Sequence, residues 1–488
     1  MKHTRSIYFI RCFAACAAIF FGFAAAARTA PAGDEWENPA IPALNKALPR
    51  NEFISYDLRN DAIAGNLGGA QFYRLLTGKL ESPPTEAGSR KSYTTQVNLP
   101  HAWLDREVFL HVEGLLGYYI YVNDAFAGYG TDSRTPSEFN ISAFIHEGVN
   151  TVRIEVYAGG AGAALETAAA PEAPRTTPTC IYLYSQPKLR IEDFDLMVRR
   201  DSTGRQTRLK VALAVASSYN YDETFTVGYD IYSPQGKRLH YDMRSITLAG
   251  HSRDTIRLEE YIYGVVPNLW SAESPSLYRM LFFVRRSGRA TEHIPYQIGF
   301  GETEFKDGRI WRNGKPVDLR PVHYNAAPEA GRTEADLKAF KSLKYNTIYV
   351  DYPQPVWFYE LCDRIGFYVI DQANLNSNHA VENRDIGGSY ANDPQWLPSY
   401  LDRTQGMFSR NRQRTCIVGW SLGGNGGNGY NLYRTYLLLK ESDPYRAVIY
   451  RGAKGEWNSD IELPEAVEGA QALSEAAAVK PAAATRRR

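Results

Sequence analysis

The sequence has almost no net charge, few cysteines and no long hydrophobic run after its first 27 residues. Its 488 residues carry 55 Lys and Arg against 54 Asp and Glu, a formal net charge of +1. Nucleic-acid-binding proteins usually carry a basic excess or a basic patch, so this composition argues against one. Apolar residues make up 44% and aromatic residues 13% of the chain, which excludes a disordered protein. The length predicts about three domains.

Five cysteines are too few for a disulfide scaffold in a chain of this length. Three of them lie beyond the amino-terminal segment, at Cys180, Cys362 and Cys416, without the C-x-x-C spacing of a zinc site. We interpret them as small buried hydrophobic residues. The sequence predicts no metal site and no cofactor.

The amino terminus has the pattern of a secretory signal peptide. Basic residues precede an apolar run from Cys12 to Ala27, which ends in consecutive alanines. The run is too short to span a bilayer, so we expect cleavage near Ala27 and no transmembrane segment afterwards. This predicts export to the periplasm or the cell surface. A lipid anchor at Cys16 is the alternative.

The predicted secondary structure of the remaining chain changes along its length. Short β-like runs separated by turn residues, such as Asn123-Asp124, fill residues 52–157, and a second β-rich block follows to about residue 298. From Thr333 onward, helical periods alternate with strands, which predicts βα units around a parallel sheet. The predicted helices are 333–345, 355–365 and 396–410, and the predicted strands are 346–350, 367–370 and 416–422. Thr333 with Asp336 resembles a capping box.

Several strings occur in a fixed order along the chain: LPHAW at 99–103, YYIYVND at 118–124, NLWSAESPSLY at 268–278, WFYELCDRIGFYVIDQAN at 357–374 and WSLG at 420–423. Together they resemble glycoside hydrolase family 2, the β-galactosidase, β-glucuronidase and β-mannosidase group. The resemblance implies a multidomain β and α/β fold: a jelly-roll β-sandwich, an immunoglobulin-like β-sandwich and a partial (β/α) TIM-type barrel. The expected segments are a signal peptide at 1–27, a linker at 28–50, the jelly roll at 51–186, the second sandwich at 187–298, the barrel at 299–464 and a low-complexity tail at 465–488, disordered or a fraying helix.

The resemblance also shows where this chain departs from the family. A retaining glycosidase needs an acid/base carboxyl and a nucleophilic carboxylate about 5–5.5 Å apart. The family's acid/base Glu lies in WSLGNE, whereas residues 420–425 read WSLGGN, so Asn425 stands at that position. Gln372, Asn376 and Asn378 replace Glu, Glu and His of a second family string. The nucleophile belongs near a seventh barrel strand, and no matching string is found, so no catalytic residue is predicted.

These departures favour a catalytically inactive relative that binds carbohydrate or serves as an envelope scaffold. The predicted sugar ligands follow strand ends: Tyr324, Asn325, Tyr349, Asn374, Asn376 and Asn425. His323 is interpreted as an ordinary hydrogen-bonded histidine. A barrel sheet of four or five strands leaves an open edge. Either the tail, a protein partner or a second copy covers this edge, or the sheet remains open and marginally stable. We expect self-association or membership of an envelope complex through this surface. The alternatives are an active β-galactosidase-like hydrolase and the truncated product of a glycosidase gene.

Overall fold

A computed structural model describes residues 29–67, 70–81, 90–167, 175–200, 207–262 and 268–484. The predicted signal peptide and Cys16 lie outside these residues. In the described part of the chain, no helix is long and apolar enough to cross a membrane. Cys362 and Cys416 are buried, Cys180 is partly buried, and all three thiols are free.

The first unit is a sandwich of two antiparallel sheets, with strand orders β1-β6-β5-β8-β3 and β2-β9-β4-β7. Asn123 and Asp124 both have positive φ, which is the conformation that a tight hairpin turn requires. Trp103, Phe139 and Ile120 lie between the sheets and are fully buried. The elements are β1 (Ala43–Leu44), α1 (Arg59–Ala64), β2 (Tyr73–Leu75), β3 (Arg90–Leu99), β4 (Arg106–Glu113), β5 (Tyr118–Val122), β6 (Ala125–Gly130), β7 (Ser137–Asn140), β8 (Gly148–Tyr157), α2 (Gly160–Ala164) and β9 (Cys180–Pro187).

The second unit is another antiparallel sandwich, with strand orders β10-β11-β14 and β13-β12-β15-β16. Alternate residues of β11, from Leu209 to Val215, point into its core, as the two-residue period of a strand requires. Ala212 and Ala214 take the opposite face. The strands are β10 (Leu189–Arg200), β11 (Thr207–Ser217), β12 (Glu223–Tyr232), β13 (Arg238–Leu248), β14 (Arg253–Ile262), β15 (Tyr278–Arg286) and β16 (Arg289–Ile298).

A small three-stranded sheet leads into the third unit, a curved parallel sheet with the order β24-β23-β22-β21-β20-β25. The predicted βα alternation is confirmed, and Gly366 ends one helix in the left-handed conformation that favours glycine. The elements are β17 (Thr303–Lys306), β18 (Arg309–Arg312), β19 (Lys315–Pro316), β20 (Pro321–His323), α3 (Ala330–Ser342), β21 (Thr347–Tyr349), α4 (Val356–Ile365), β22 (Tyr368–Gln372), α5 (Leu397–Asn411), β23 (Ile417–Ser421), α6 (Tyr430–Ser442), β24 (Ala447–Ile449), β25 (Val467–Glu468) and α7 (Gly469–Ala484).

The predicted capping box at Thr333 is wrong. Helix α3 begins at Ala330, three residues earlier, and no side chain caps its first turn. Thr333 is fully buried inside the helix, and its hydroxyl accepts a hydrogen bond from the backbone N–H of Ala327 at 2.9 Å. The threonine therefore fixes the loop before the helix.

The chain's own carboxyl-terminal segment covers both edges of the parallel sheet. Beside β24, the backbone N–H of Asp460 donates to the Val448 carbonyl at 2.8 Å, and its carboxylate accepts from the Val448 N–H at 2.7 Å. Ile461 and Leu463 then pack against the barrel core. At the other edge, β25 pairs in parallel with β20. Of the two expectations for the tail, the helical one is confirmed by α7, and self-association through this edge stays a prediction.

Candidate functional site

The carboxyl ends of the parallel strands meet at one rim of the barrel unit, which we call the mouth. In barrels of this kind, the residues that follow the strands form the functional site. Asn325 follows β20, Asp351 follows β21, Asn376 follows β22 and Asn425 follows β23. The last residue of β25, Glu468, completes the rim beside β20.

An imidazole lies between two carboxylates at the mouth. The Nε2 atom of His323 is 2.8 Å from Oδ1 of Asp351, and Nδ1 is 3.1 Å from Oε1 of Glu468. The hydrogen bond to Asp351 is the main cause that raises the pKa of His323, with a smaller contribution from Glu468. Burial works to raise the pKa of Asp351, but the bonds from His323 and Asn325 outweigh it and lower that pKa. The three side chains tie together the ends of β20, β21 and β25.

Amide side chains surround Asp351 and satisfy its polar atoms. Asn325 donates to Oδ2 at 2.6 Å and accepts from the Asp351 N–H at 3.0 Å. Gln372 and Asn376 both donate to the Asp351 carbonyl, at 2.6 and 3.0 Å. Ser421 donates to Oε1 of Gln372 at 3.0 Å. These side chains therefore stabilise one another inside the mouth.

The position that the family resemblance assigns to the acid/base residue is exposed and carries an amide. Asn425 lies at the surface, and its Nδ2 donates to Oδ1 of the exposed Asn378. The preceding residue, Gly424, has no room for a side chain, because an added Cβ would lie 2.0 Å from Oδ1 of Asn376. Asn376 thus occupies the space that a side chain at position 424 would need.

Asp371 lies below the mouth, within β22, and is fully buried. The Tyr359 hydroxyl and the Asn411 amide donate to its two oxygens, at 2.7 and 2.8 Å. Burial raises its pKa to about 6. Both oxygens are engaged and the side chain is inaccessible, so this carboxyl has a structural role.

A loop of the first sandwich reaches the mouth through a buried ion pair. Arg403 of α5 is 1% exposed and donates to Oε1 of Glu166 at 2.8 Å, and also to the Asn374 carbonyl at 2.8 Å. Asn374 in turn donates to Oδ1 of Asp132 at 2.7 Å. Glu166 therefore supplies a carboxylate that supports the mouth and that was not predicted from the sequence.

Three of the predicted sugar ligands have their polar groups engaged elsewhere. The Tyr324 hydroxyl donates to Asp336 of α3 at 2.8 Å, and its ring packs against Phe340. Tyr349 is 6% exposed. Asn374 is buried in the network of Arg403. Asn325, Asn376 and Asn425 do come together at the mouth, but only Asn425 is exposed.

An aromatic ledge stands on the same rim, which the sequence reasoning missed. Trp457 follows β24, is 54% exposed and packs on Tyr433 with ring centroids 5.1 Å apart. Beside it, Arg384 pairs with Glu456 at 2.8 Å. Hydrogen bonds between Asn428 and Asn458 connect the loops after β23 and β24. The sequence signal for this ledge is Trp457 itself, an aromatic residue in the segment that follows β24.

The described residues offer no group of three or more His, Cys, Asp or Glu side chains arranged to hold a metal ion. His323 forms hydrogen bonds with the carboxylates of Asp351 and Glu468, in agreement with its interpretation as an ordinary hydrogen-bonded histidine. The mouth can therefore offer amide donors, carboxylate acceptors and an aromatic face.

Comparison with known proteins matches three descriptions of one family. "Glycosyl hydrolases family 2, sugar binding domain" matches residues 73–182, "Glycosyl hydrolases family 2" matches 189–300, and "Glycosyl hydrolases family 2, TIM barrel domain" matches 303–468. These ranges follow the first sandwich, the second sandwich and the barrel unit.

Relatives and solved structures agree with these matches. The chain is 29% identical over 396 residues to a β-galactosidase of Priestia megaterium, covering 77% of this chain and 38% of the relative. It is 30% identical over 385 residues to a β-galactosidase of Pectobacterium atrosepticum, covering 74% and 35%. The chain thus spans little more than a third of these relatives' length.

Among solved structures, a Bacteroides uniformis β-glucuronidase has a TM-score of 0.63 at 20% identity, covering 75% of this chain and 46% of that one. A β-glycosidase from Bacteroides vulgatus has a TM-score of 0.60 at 18% identity, covering 76% and 47%. These likenesses support the same three-domain fold. The three matched domains, in the family's order and over most of the described residues, show that the chain belongs to glycoside hydrolase family 2.

Proposed function

We propose that this protein is an exported family member that binds carbohydrate at the barrel mouth and does not cleave glycosides by the family mechanism. The observation that carries the proposal is the amide of Asn425 at the acid/base position. An amide cannot donate a proton to a leaving glycosidic oxygen at neutral pH, and losing such a group costs about 10²–10⁴ in rate.

The residues around Asn425 support the proposal that this mouth lacks the acid/base carboxyl. Asn376 fills the space beside Gly424, because a Cβ added to Gly424 would lie 2.0 Å from Oδ1 of Asn376. Gln372 and Asn376, which replace two family glutamates, hydrogen-bond to the backbone of Asp351. Replacing Asn425 with Glu would therefore restore one carboxyl but would leave the amides of Gln372 and Asn376 in their present hydrogen bonds.

Binding needs less than cleavage. A pyranose offers an apolar C–H face and several hydroxyls, and an aromatic ring with polar groups nearby matches both. Trp457 supplies the exposed ring, supported by Tyr433, and the Arg384–Glu456 pair supplies donors and acceptors at its edge. Asn425 and Asn378 add exposed amides on the same rim. We assign sugar contact first to Trp457 and Asn425.

Calorimetric titration with β-galactosides, β-glucuronides and longer glycans tests the proposal. Trp457→Ala should abolish the binding that the unaltered protein shows. Tyr241→Ala is the matched control, because Tyr241 is also 54% exposed but lies on β13 of the second sandwich. Flat titrations with every sugar, or equal loss in both variants, would refute carbohydrate binding at the mouth.

Chromogenic β-galactoside and β-glucuronide assays separate this proposal from the alternative of an active hydrolase, which the names of the relatives favour. We expect no turnover above a protein-free control. Turnover that is lost in Asn425→Ala would establish the alternative instead.

Export rests on the signal-peptide pattern of residues 1–27. Mass spectrometry of the mature protein, produced in a secreting host, should find an amino terminus near residue 28. A diacylglycerol mass on Cys16 would establish the lipid anchor instead.

A further inference from the structure

A cavity of about 960 Å³ lies between the second sandwich and the barrel unit. Its barrel wall includes residues 412–415, which precede β23, and residues 443–446, which precede β24. These are the amino ends of the strands, so the cavity opens at the base of the barrel, opposite the mouth. Because family sites lie at the carboxyl ends, this cavity is separate from the site described above.

The cavity walls are largely apolar. The outer face of the sheet β10-β11-β14 contributes Met197, Ala212 and Ala214, and the helices α5 and α6 contribute Phe408 and Leu438. Ala212 keeps the space open, because it is a small side chain on the face of β11 that points away from the sandwich core. Volumes of about 300–1,000 Å³ with apolar walls at a domain boundary are typical of small-molecule sites.

The buried carboxylates of the walls are already paired. Asp193 accepts from Arg412 at 2.7 Å, and Asp443 accepts from Arg446 at 2.5 Å. The sandwich-side carboxylate Glu302 lies 3.4 Å from Arg199. These three carboxylates are therefore matched by cations of the protein.

Arg312 is the exception among the wall cations. It is 6% exposed, and no ion pair in the described residues joins it to a carboxylate. Its Nε and Nη1 atoms donate to the Trp270 carbonyl and the Thr303 hydroxyl, at 3.2 and 2.7 Å, whereas Nη2 has no hydrogen-bond partner among the residues that the structure describes. Burial lowers its pKa to about 10. A buried cation without a counter-ion is costly, and an anion beside it would relieve that cost.

We propose that this cavity binds a small apolar molecule that carries one anionic group, with the rings or chain between Ala212 and Phe408 and the anion toward Arg312. The inference does not rest on the proposed function, because the cavity lies at the other end of the barrel from the mouth.

Two fluorescent probes with the same rings test the proposal. 1-Anilinonaphthalene-8-sulfonate carries an anion, and N-phenyl-1-naphthylamine does not. We expect saturable binding of one sulfonate probe per chain, at least about tenfold tighter than the neutral probe, since one hydrogen bond to a charged group is worth that factor. Equal affinities, or binding that does not saturate, would overturn the proposal.

Variants locate the binding. Ala212→Trp should place an indole where the probe rings lie and abolish binding of both probes, whereas Ser245→Trp, on an exposed face of β13, should leave binding of both unchanged. Arg312→Met should lower the affinity for the sulfonate probe to that for the neutral probe. Arg332→Met, at an exposed position on α3, should leave the affinity for the sulfonate probe unchanged. Unchanged binding in Ala212→Trp would overturn the site.

Thermal unfolding of each variant must show the native transition, because the sulfonate probe also binds partly unfolded chains. If Arg312→Met lacks that transition, the salt dependence of the unaltered protein decides the same point. Added salt should lower the affinity for the sulfonate probe and leave the affinity for the neutral probe unchanged. Equal salt responses would remove Arg312 from the proposal.

Discussion

A single methyl group at position 424 should test whether Asn376 has taken over the space of a lost side chain. In Gly424→Ala the new Cβ would lie 2.0 Å from Oδ1 of Asn376, far inside contact distance. Asn376 must then move and give up its 3.0 Å hydrogen bond to the Asp351 carbonyl. We expect the free energy of unfolding to fall by about 1–3 kcal/mol. Gly426→Ala is the control, because its Cβ would meet nothing within 4 Å.

The double variant makes the argument refutable. Asn376→Ala alone should cost about 1 kcal/mol for the lost hydrogen bond. Gly424→Ala combined with Asn376→Ala should cost little more than that, because the obstructing oxygen is gone, which gives a coupling energy of about 1–2 kcal/mol. Urea unfolding followed by circular dichroism measures all three. Costs that simply add would show that the two positions do not share space.

Further expectations concern the supports of the mouth. Hydrogen bonding to Asp351 raises the pKa of His323, so this contact stabilises the fold below about pH 6.5, and its contribution is lost as the pH rises through the raised pKa. His323→Gln should therefore lower the free energy of unfolding more at pH 5.5 than at pH 8.5. Equal losses at the two pH values would contradict this. Arg403→Met should cost about 3–5 kcal/mol in urea unfolding because it leaves a buried carboxylate unpaired, against about 0.5 kcal/mol or less for the exposed Arg332→Met. Deleting residues 462–488 removes β25 and α7 and so uncovers the β20 edge of the sheet and the apolar surface beside it. Light scattering should then find larger species, and a monodisperse monomer would refute the covering role.

The sequence allowed the fold to be predicted where the pattern is local. The βα alternation after Thr333 depends on helical and strand periods, and the turn at Asn123-Asp124 depends on residues that tolerate positive φ. The family strings then ordered the three domains. Helix α3 shows the limit, because a threonine three residues inside a helix has the same sequence pattern as a capping threonine.

The mouth was harder to predict, because its contacts join residues that are distant in sequence. Asn374 and Tyr324 follow strand ends as expected, but their side chains bind Asp132 and Asp336. The end of a strand gives a residue's position, and the partners decide whether its polar atoms remain available. Glu468 was missed for another reason: an Ala- and Glu-rich segment gives no local signal that two of its residues will add a strand to a sheet.

The pairing of β25 with β20 also orders events during synthesis. The contact between His323 and Glu468 closes a loop of 145 residues, and contacts this far apart form late. A ribosome-bound chain would therefore hold two sandwiches next to a barrel with an unprotected flank until residues 467–468 emerge. During that interval the nascent protein exposes apolar surface, so its yield in a cell should rise with the supply of chaperones.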